Sequence, residues 1–465
     1  MRFVRELTIW LSGAADADNF PYSPVLAEFH RVGKHFAERE LLALLDKIRA
    51  QVTTPAAGPP TRPAVRLLRD FLDVALDKWD GRYDYRSYLA LRLLRLPVDG
   101  DDGHGAGDHG HGAGDHGHGA GDHGHGAGDH GHGAGDHGQG AGDQGHAGDP
   151  DDARRERDRL LVRLVADALA FEQAAGSGAT DLLPEDRPGR EIAAKRHRLG
   201  VRAAAPAIAR LGLTGAVHDP ELAAVLPALA AELDPAGERA LRLSMLPVYV
   251  SHDEYLFIRV LQAYECLFAG LVDELRGTIA ALAAGDARRS VDRLAYAREQ
   301  LSAAGPLFSL LATMQPAAFR TFRQYTEGAS AIQSRSYKLM ESLCRTPDGP
   351  RLESPAYLQV PEVRDRVQAG QPSVDEAFRE AVREGQLTGA DVDLVARAMS
   401  AFAAAVLQWR RTHHRLAVRM LGPRPGTGYT EGTPYLAAVR SIPVFTSVTH
   451  DPGPPSRTHH GGDPE

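Results

Sequence analysis

Between residues 103 and 138 the chain repeats the heptapeptide GHGAGDH, and this tract limits what can fold to the two flanking parts. Glycine stands at every second or third position, so the tract has high backbone entropy and little apolar surface to bury. A coiled coil would need apolar residues at two positions of each heptad, and the repeat has none. We therefore predict four regions: an N-terminal helical segment at 1–98, a disordered linker at 99–152, a helical body at 153–450 and a disordered tail at 451–465.

The tract also dominates the charge and the histidine content. Ten aspartates and no Lys or Arg lie between Asp99 and Asp149, so the net charge of −8 leaves the rest of the chain near neutrality. That balance predicts neither a nucleic-acid nor a membrane partner. Eleven of the 21 histidines lie here too. They could bind Zn²⁺, Ni²⁺ or Cu²⁺ weakly, but a linker without a metal site is the favoured interpretation, because composition alone is weak evidence.

The remaining sequence reads as helix. Apolar residues recur at helical spacing in 25–50, 159–175 and 290–314, and prolines cluster in the connections between such stretches. Alternation of the kind that forms strands is nearly absent. We therefore predict an all-α fold with a helical bundle as its main body.

Targeting signals and cysteines are scarce. Two cysteines, Cys266 and Cys344, cannot form a disulfide framework or a cysteine-rich metal site, which favours a reducing, cytoplasmic location. The first residues do not resemble a signal peptide, and no run of about 18 apolar residues predicts a membrane span.

Two adjacent histidines, His413 and His414, lie in a long helix predicted to begin near residue 388. Its apolar face consists of Val395, Met399, Phe402, Val406, Trp409, Leu416 and Met420. His413 falls on this face, whereas His414 is turned by about 100° and is predicted on the flank or outside with Arg410 and Arg411.

An inward histidine is compatible with a core residue that is hydrogen-bonded to a carbonyl. However, the helix ends at a Gly/Pro stop followed by Thr427 between two glycines, where the backbone can approach a ligand closely. A neutral imidazole inside a helical bundle is also the arrangement of a noncovalent haem ligand. The chain lacks CxxCH, which excludes covalent attachment of haem.

A second candidate, His252, opens another helix. Ser251 and Glu254 have the spacing of a capping box, which predicts His252 at the first helical position. The positive end of the helix dipole disfavours a protonated imidazole, so His252 should be neutral and able to share a hydrogen bond. The alternative is a histidine that merely neighbours the helix cap.

Arg323 is the third candidate. It shares one helical face with Phe319 and Phe322, and no Asp or Glu lies within three residues of it. A guanidinium among aromatic rings needs an anion, and a ligand carboxylate held by two hydrogen bonds would satisfy it. A distant acid of the chain itself is the other possibility.

Four ordered motifs together resemble the haem-dependent tryptophan 2,3-dioxygenases, over about 83–97 and 250–440. They are Tyr85-x-x-Tyr88-Leu89, His252-Asp253-Glu254 with Tyr264-Glu265, Phe319-x-x-Phe322-Arg323-x-Tyr325 with Ala329-Ser330 and Gln333-Ser334, and Trp409-Arg410-x-x-His413 with Arg419-Met420-Leu421-Gly422 and Gly426-Thr427-Gly428.

The resemblance implies an enzyme that uses haem b (Fe²⁺) and O₂ to open the indole ring of L-tryptophan, or of a substituted tryptophan, giving N-formylkynurenine. The implied roles are His413 as the proximal iron ligand, His252 at the indole N–H, Arg323 on the substrate carboxylate, Thr427 on the ammonium, Ser330 at the oxygen-binding face, Phe319 in the substrate pocket, and Tyr85 and Tyr88 reaching the site from a neighbouring subunit. The last role implies a homo-oligomer, a tetramer or a dimer.

Departures from the family pattern leave two alternatives open. Thr326 replaces a leucine, Ala331-Ile332 replaces Gly-Phe, and the glycine loop continues as Tyr429-Thr430-Glu431. These changes favour a related haem mono-oxygenase acting on an indole or phenol amino acid. A non-catalytic, metal-binding helical protein is the third hypothesis, because of the histidine tract.

Overall fold

The structure is a computed structural model that describes residues 2–13, 15–53, 62–96, 150–213, 237–422 and 432–448. Within these ranges the regular structure is helical, apart from a single isolated bridge between Glu185 and Ser251. The predicted all-α class is confirmed. The histidine tract, the predicted tail and Thr427 lie outside the described residues. So does the predicted linker except for residues 150–152, which are helical, so the body begins three residues earlier than predicted.

Most helices begin where a proline, a short polar side chain or a glycine supplies a start signal. The N-terminal helices are α1 (Arg2–Ser12), α2 (Tyr22–Val32), α3 (Arg39–Thr53), α4 (Pro63–Ala75), α5 (Tyr85–Tyr88) and α6 (Leu91–Leu94). The body contains α7 (Pro150–Ser177), α8 (Arg190–Arg210), α9 (Glu238–Leu243), α10 (His252–Ala283), α11 (Ala287–Ala303), α12 (Gly305–Leu311), α13 (Pro316–Arg323), α14 (Arg335–Cys344), α15 (Gly349–Leu352), α16 (Pro355–Leu358), α17 (Pro361–Gln368), α18 (Val374–Arg383), α19 (Gly389–Leu421) and α20 (Thr433–Val439).

The N-terminal helices have a hydrophobic core of their own, but that core is not made by them alone. Phe29, Leu45 and Phe71 are fully buried in it, together with Leu243 and Leu246 from the body. Residues far apart in sequence, on either side of the repeat, therefore complete one core.

The continuous helix predicted over 25–50 is interrupted at Gly33. Its φ of 81° lies in the left-handed region, and an added Cβ would stand 2.5 Å from the Val248 carbonyl oxygen. The chain breaks here because it passes directly against the body. A second predicted stretch, 290–314, is likewise divided between α11 and α12, where Pro306 starts the new helix.

The body is organised around α10, which is buried on nearly all sides. It packs against α7, α11, α14 and α18, and α11 in turn packs against α19. Among the described residues, α10 is the one helix long and apolar enough to cross a membrane by length and composition. However, 89% of its most apolar window is buried inside the protein, as in the core helix of a soluble protein.

Helix α19 carries the His413–His414 pair. It starts at a capping box in which Thr388 and Asp391 satisfy each other's backbone amides, and it ends at Gly422 with a φ of 64°. The predicted apolar face is found: Val395, Met399, Phe402, Val406 and Met420 are buried.

Candidate active site

A cavity of about 240 Å³ lies between α10, α12, α13, α14, α19 and α20, with α5 closing one side. This volume is somewhat below the roughly 300–1,000 Å³ typical of ligand pockets. Its walls are mainly aromatic and aliphatic. Six of the residues singled out in the sequence line it: Tyr85, Tyr88, Phe319, Arg323, Ser330 and His413.

His413 reaches the cavity because it continues the apolar face of α19. Its ring lies 5.1 Å from the Trp409 ring and is nearly parallel to the Phe308 ring at 6.1 Å. Burial lowers the pKa of His413 to about 4, so the imidazole is neutral at physiological pH. In the part of the chain that the structure describes, neither ring nitrogen has a hydrogen-bond partner. His414 does not line the cavity.

Arg323 stands at the end of α13, half-buried, with Phe319 one turn before it. The Phe319 ring meets the Phe257 and Phe322 rings edge-on at 5.5 and 5.4 Å, which fixes this wall as an aromatic cluster. Ser330 follows on the short segment that links α13 to α14. The cavity therefore combines largely apolar walls with polar groups that include the Arg323 guanidinium and the Ser330 hydroxyl.

His252 is placed differently from what the resemblance implies, because it is absent from the residues that line the cavity. The face of α10 that does line it carries Phe257, Leu261 and Tyr264. His252 precedes Phe257 by five residues, a rotation of about 140° around the helix, so its ring points away. It stacks on Phe171 at 4.7 Å, and its Nε2 lies 3.2 Å from Glu172 Oε1.

A buried ionic network surrounds that histidine. Arg196, fully buried, pairs with both Glu172 and Asp253. Burial raises the pKa of Glu172, but contact with His252 and the charge of Arg196 outweigh this effect and lower it. The predicted capping box at Ser251 is not formed, since Ser251 makes no cap hydrogen bond. Glu254 accepts hydrogen bonds from the amides of residues 248 and 249 instead.

Tyr85 and Tyr88 enter the cavity from the same chain, whereas the resemblance implied a neighbouring subunit. A capping box between Asp84 and Ser87 starts their short helix. The Tyr85 hydroxyl donates to Glu265 Oε1 at 3.2 Å, and the Tyr88 hydroxyl donates to Glu254 Oε1 at 3.2 Å. Burial raises the pKa of Glu254 to about 8 and also raises that of Glu265.

A cationic cluster forms another wall. The Glu341 carboxylate lies 3.2 Å from Lys338 Nζ, 2.9 Å from Arg351 Nη2 and 3.4 Å from Arg410 Nη2. Lys338 and Arg410 also line the cavity. One carboxylate faces three buried cations, so the cluster has surplus positive charge. Burial raises the pKa of Glu341, but the three cations outweigh it and hold the pKa far below its usual range.

The comparisons with known proteins agree with this site. The tryptophan 2,3-dioxygenase family profile matches residues 243–353, which include α10, α13 and α14. A tryptophan 2,3-dioxygenase of Anaeromyxobacter dehalogenans is 27% identical over 226 residues, covering 42% of this chain and 85% of that protein. One of Caulobacter vibrioides is 27% identical over 239 residues, covering 43% and 90%. One of Nocardioides sp. is 29% identical over 220 residues, covering 40% and 79%.

These matches confirm the resemblance to the tryptophan 2,3-dioxygenase family that the motifs indicated, and the protein is accordingly an oxidoreductase enzyme. The family profile, over residues 243–353, includes neither the N-terminal helices nor the repeat.

Tryptophan 2,3-dioxygenases use haem, and the residues of this cavity fit that group. The neutral, unpartnered imidazole of His413 is the donor that haem iron prefers. The apolar walls suit a porphyrin ring, and the surplus positive charge at Lys338 and Arg410 suits its two carboxylates. Sequence reasoning missed this cluster: it placed Arg410 on the flank or outside, whereas Arg410 is buried. The available signal was the Lys338–Glu341 pair, one helical turn apart.

We predict that Tyr85→Phe lowers the free energy of unfolding by about 1–2 kcal/mol, because it leaves the buried Glu265 without one donor. Urea unfolding followed by circular dichroism measures the change. Tyr83→Phe is the matched control, since the buried Tyr83 hydroxyl has no partner. Its removal should leave stability unchanged or slightly higher. Equal losses in both variants would contradict a specific role for the Tyr85 hydrogen bond.

Proposed function

We propose that this protein is a haem-dependent dioxygenase that opens the indole ring of L-tryptophan with O₂ to give N-formylkynurenine. The observation that carries the proposal is the presence, in one largely apolar cavity, of a neutral imidazole, an arginine and a hydroxyl: His413, Arg323 and Ser330. The names of its relatives, all tryptophan 2,3-dioxygenases, support the same substrate.

In this proposal His413 holds the haem iron through its ring nitrogen. Lys338 and Arg410 meet the porphyrin carboxylates with charge that Glu341 leaves uncompensated. The bound haem would supply the activation of dioxygen, which organic side chains cannot provide. The protein's part is to keep the imidazole neutral, to exclude water from the cavity and to hold the group in one orientation.

The amino-acid end of the substrate is recognised by charge. Arg323 pairs with the substrate carboxylate, and its planar fork fixes the direction of approach. The Phe257 and Phe319 rings, which contact each other edge-on, border the indole, and aromatic contacts orient the C2–C3 bond that is cleaved. Both oxygen atoms enter the product, so no external electrons are consumed. Thr427, the predicted partner of the ammonium, stays a prediction outside the described residues.

The proposal assigns His252 no contact with the substrate, because its ring packs on Phe171 and Glu172. Tyr85 and Tyr88 line the cavity from the same chain in this proposal. A homo-oligomer stays a prediction, as does a cytoplasmic location.

The direct test is to reduce the haem-supplemented protein and to supply L-tryptophan with ¹⁸O₂. We expect N-formylkynurenine that contains two labelled atoms. Thr326, buried at the cavity wall, stands where the family pattern has leucine, and this favours the mono-oxygenase as the second candidate. Product with one labelled atom would decide for that candidate. No product from tryptophan or from any substituted indole or phenol amino acid would overturn both.

We predict that haem-free protein loses stability below neutral pH partly through His413. The pKa is lowered from 6.5 to about 4 in the fold, so the unfolded chain takes up the proton first. The contribution is complete above pH 6.5 and declines as the pH falls towards 4, by at most about 1.4 kcal/mol per pH unit. Urea unfolding at pH 7 and pH 5 measures it, and His413→Gln should lose less between these two values. Parallel losses in both proteins would contradict the lowered pKa.

A further inference from the structure

Besides Tyr85 and Tyr88, which line the cavity directly, the N-terminal segment approaches it through one loop of the body, and this contact starts at the backbone. The amide of Lys34 donates to the Pro247 carbonyl at 2.8 Å, and that of His35 donates to the Val248 carbonyl at 3.2 Å. Gly33 makes this approach possible, because any Cβ there would collide with Val248. Residues 33–36 are thereby fixed against the strand-like segment that precedes α10.

From this position two side chains reach Tyr325, which follows α13. The Tyr325 ring lies 5.1 Å from the His35 ring and 5.0 Å from the Phe36 ring, and it stacks on the Tyr249 ring at 4.9 Å. Tyr325 is therefore enclosed between the N-terminal helices and the body.

Lys78, just after α4, holds the same loop by its backbone. Its Nζ donates to the Tyr325 carbonyl at 3.0 Å and lies 3.1 Å from Glu327 Oε2. The ammonium also sits over the Tyr83 ring at 3.8 Å. The Lys78 side chain is 13% exposed, whereas that of Glu327 is 51% exposed. Glu327 has a φ of 45°, a left-handed conformation that a non-glycine residue adopts only when its surroundings impose it.

Tyr325 and Glu327, the two residues that Lys78 contacts, lie next to residues that line the cavity. Arg323 and Thr326 line it on one side of Glu327, and Ser330 lines it on the other. Thr326 donates its hydroxyl to the Arg323 carbonyl at 2.8 Å, and the Ala329 amide donates to the Thr326 carbonyl at 2.9 Å. Because these hydrogen bonds join residues 323, 326 and 329, a movement of residues 325–327 would also move the wall of the cavity.

We propose that Lys78 is a positioning residue: it clamps the loop 324–330 from the N-terminal helices and so sets the placement of Arg323 and Ser330 in the cavity. The inference rests on the proposed function only where it speaks of substrate. The ion pair between Lys78 and the exposed Glu327 contributes little stability by itself. The hydrogen bond from Lys78 Nζ to the Tyr325 carbonyl matters more, because it fixes the backbone of the loop. The N-terminal helices, which the family match does not cover, thereby acquire a role in substrate binding.

The test compares Lys78→Met with Lys47→Met, a control on the exposed surface of α3 in the same group of helices. Hydrogen–deuterium exchange of the amides of 324–330 is measured in the haem-loaded protein, together with KM and kcat for L-tryptophan. We expect Lys78→Met to accelerate exchange in this segment and to raise KM about tenfold, with kcat changed less than about twofold. Lys78→Arg should restore most of both values. The Soret absorption should be the same in all variants.

Unchanged exchange and unchanged KM in Lys78→Met would overturn the clamp. If wild-type protein does not turn over tryptophan, the proposed function fails, and the exchange measurement alone then decides on the clamp. Should Lys78→Met not fold, Lys78→Gln carries the same test: its shorter, uncharged side chain loses the bond to the Tyr325 carbonyl but stays polar. It should accelerate exchange at residues 324–330, and exchange unchanged from wild type would overturn the proposal.

Discussion

His413→Ala protein, supplemented with haem, should show no Soret band of a histidine-ligated haem and should not turn over tryptophan above background. The affinity for haem should fall by at least about 100-fold, because His413 is the one imidazole among the described residues that line this cavity. Titration of the reduced protein with haem, followed by visible absorption, measures the affinity independently of activity.

His414→Ala is the matched control. The two side chains are adjacent on α19 and similarly half-buried, but His414 does not line the cavity. Its replacement should leave the spectrum unchanged and haem affinity within about twofold, which is well below one tenfold step of about 1.4 kcal/mol. Added imidazole should restore a band in His413→Ala by occupying the space left behind. A normal spectrum in His413→Ala would remove the basis of the proposed function.

The second large effect concerns stability. Glu341→Gln should lower the free energy of unfolding by about 3–5 kcal/mol, because it removes the carboxylate that compensates three buried cations. Chemical denaturation monitored by circular dichroism gives the value. The control is Glu353→Gln, which breaks an exposed ion pair to Arg364 and should cost no more than about 1 kcal/mol.

The cluster around Glu341 also predicts how the stability of the protein changes with pH. The folded-state pKa of Glu341 is depressed, so its contribution is fully present above the ordinary carboxyl value and is lost only in strongly acidic solution. Adding Arg351→Met to Glu341→Gln should recover part of the stability, since one uncompensated charge disappears with it. A Glu341→Gln protein as stable as Glu353→Gln would mean that solvent or another group already compensates these cations.

Prediction from the sequence was most accurate where apolar residues recur at helical spacing and are also buried. The face of α19 followed from a three-to-four-residue spacing, and it separated His413 from His414 as the cavity does. The same spacing did not predict the burial of Arg410. An arginine on the flank of a helix is buried only when it has a charged partner, and the partner here, Glu341, lies 69 residues away in sequence. Long-range charge pairing leaves no local signal.

His252 and Gly33 show the other limit. A motif places a residue near a helix start but does not fix the rotation of that helix, and α10 turns His252 towards Phe171. At Gly33 the local pattern favoured an uninterrupted helix, whereas the contact with Val248 required a break. In both cases tertiary packing decided between local alternatives that the sequence left nearly equal.

Leu243 and Leu246 belong to the core of the N-terminal helices although they precede α10 in the body. Unfolding of either half would therefore expose apolar side chains of the other half to water. Neither half is a thermodynamically independent module. Coupling of this kind makes denaturation an all-or-none event for the two halves together. The glycine-rich repeat thus separates, in sequence, two parts of the chain that we expect to unfold as one cooperative unit.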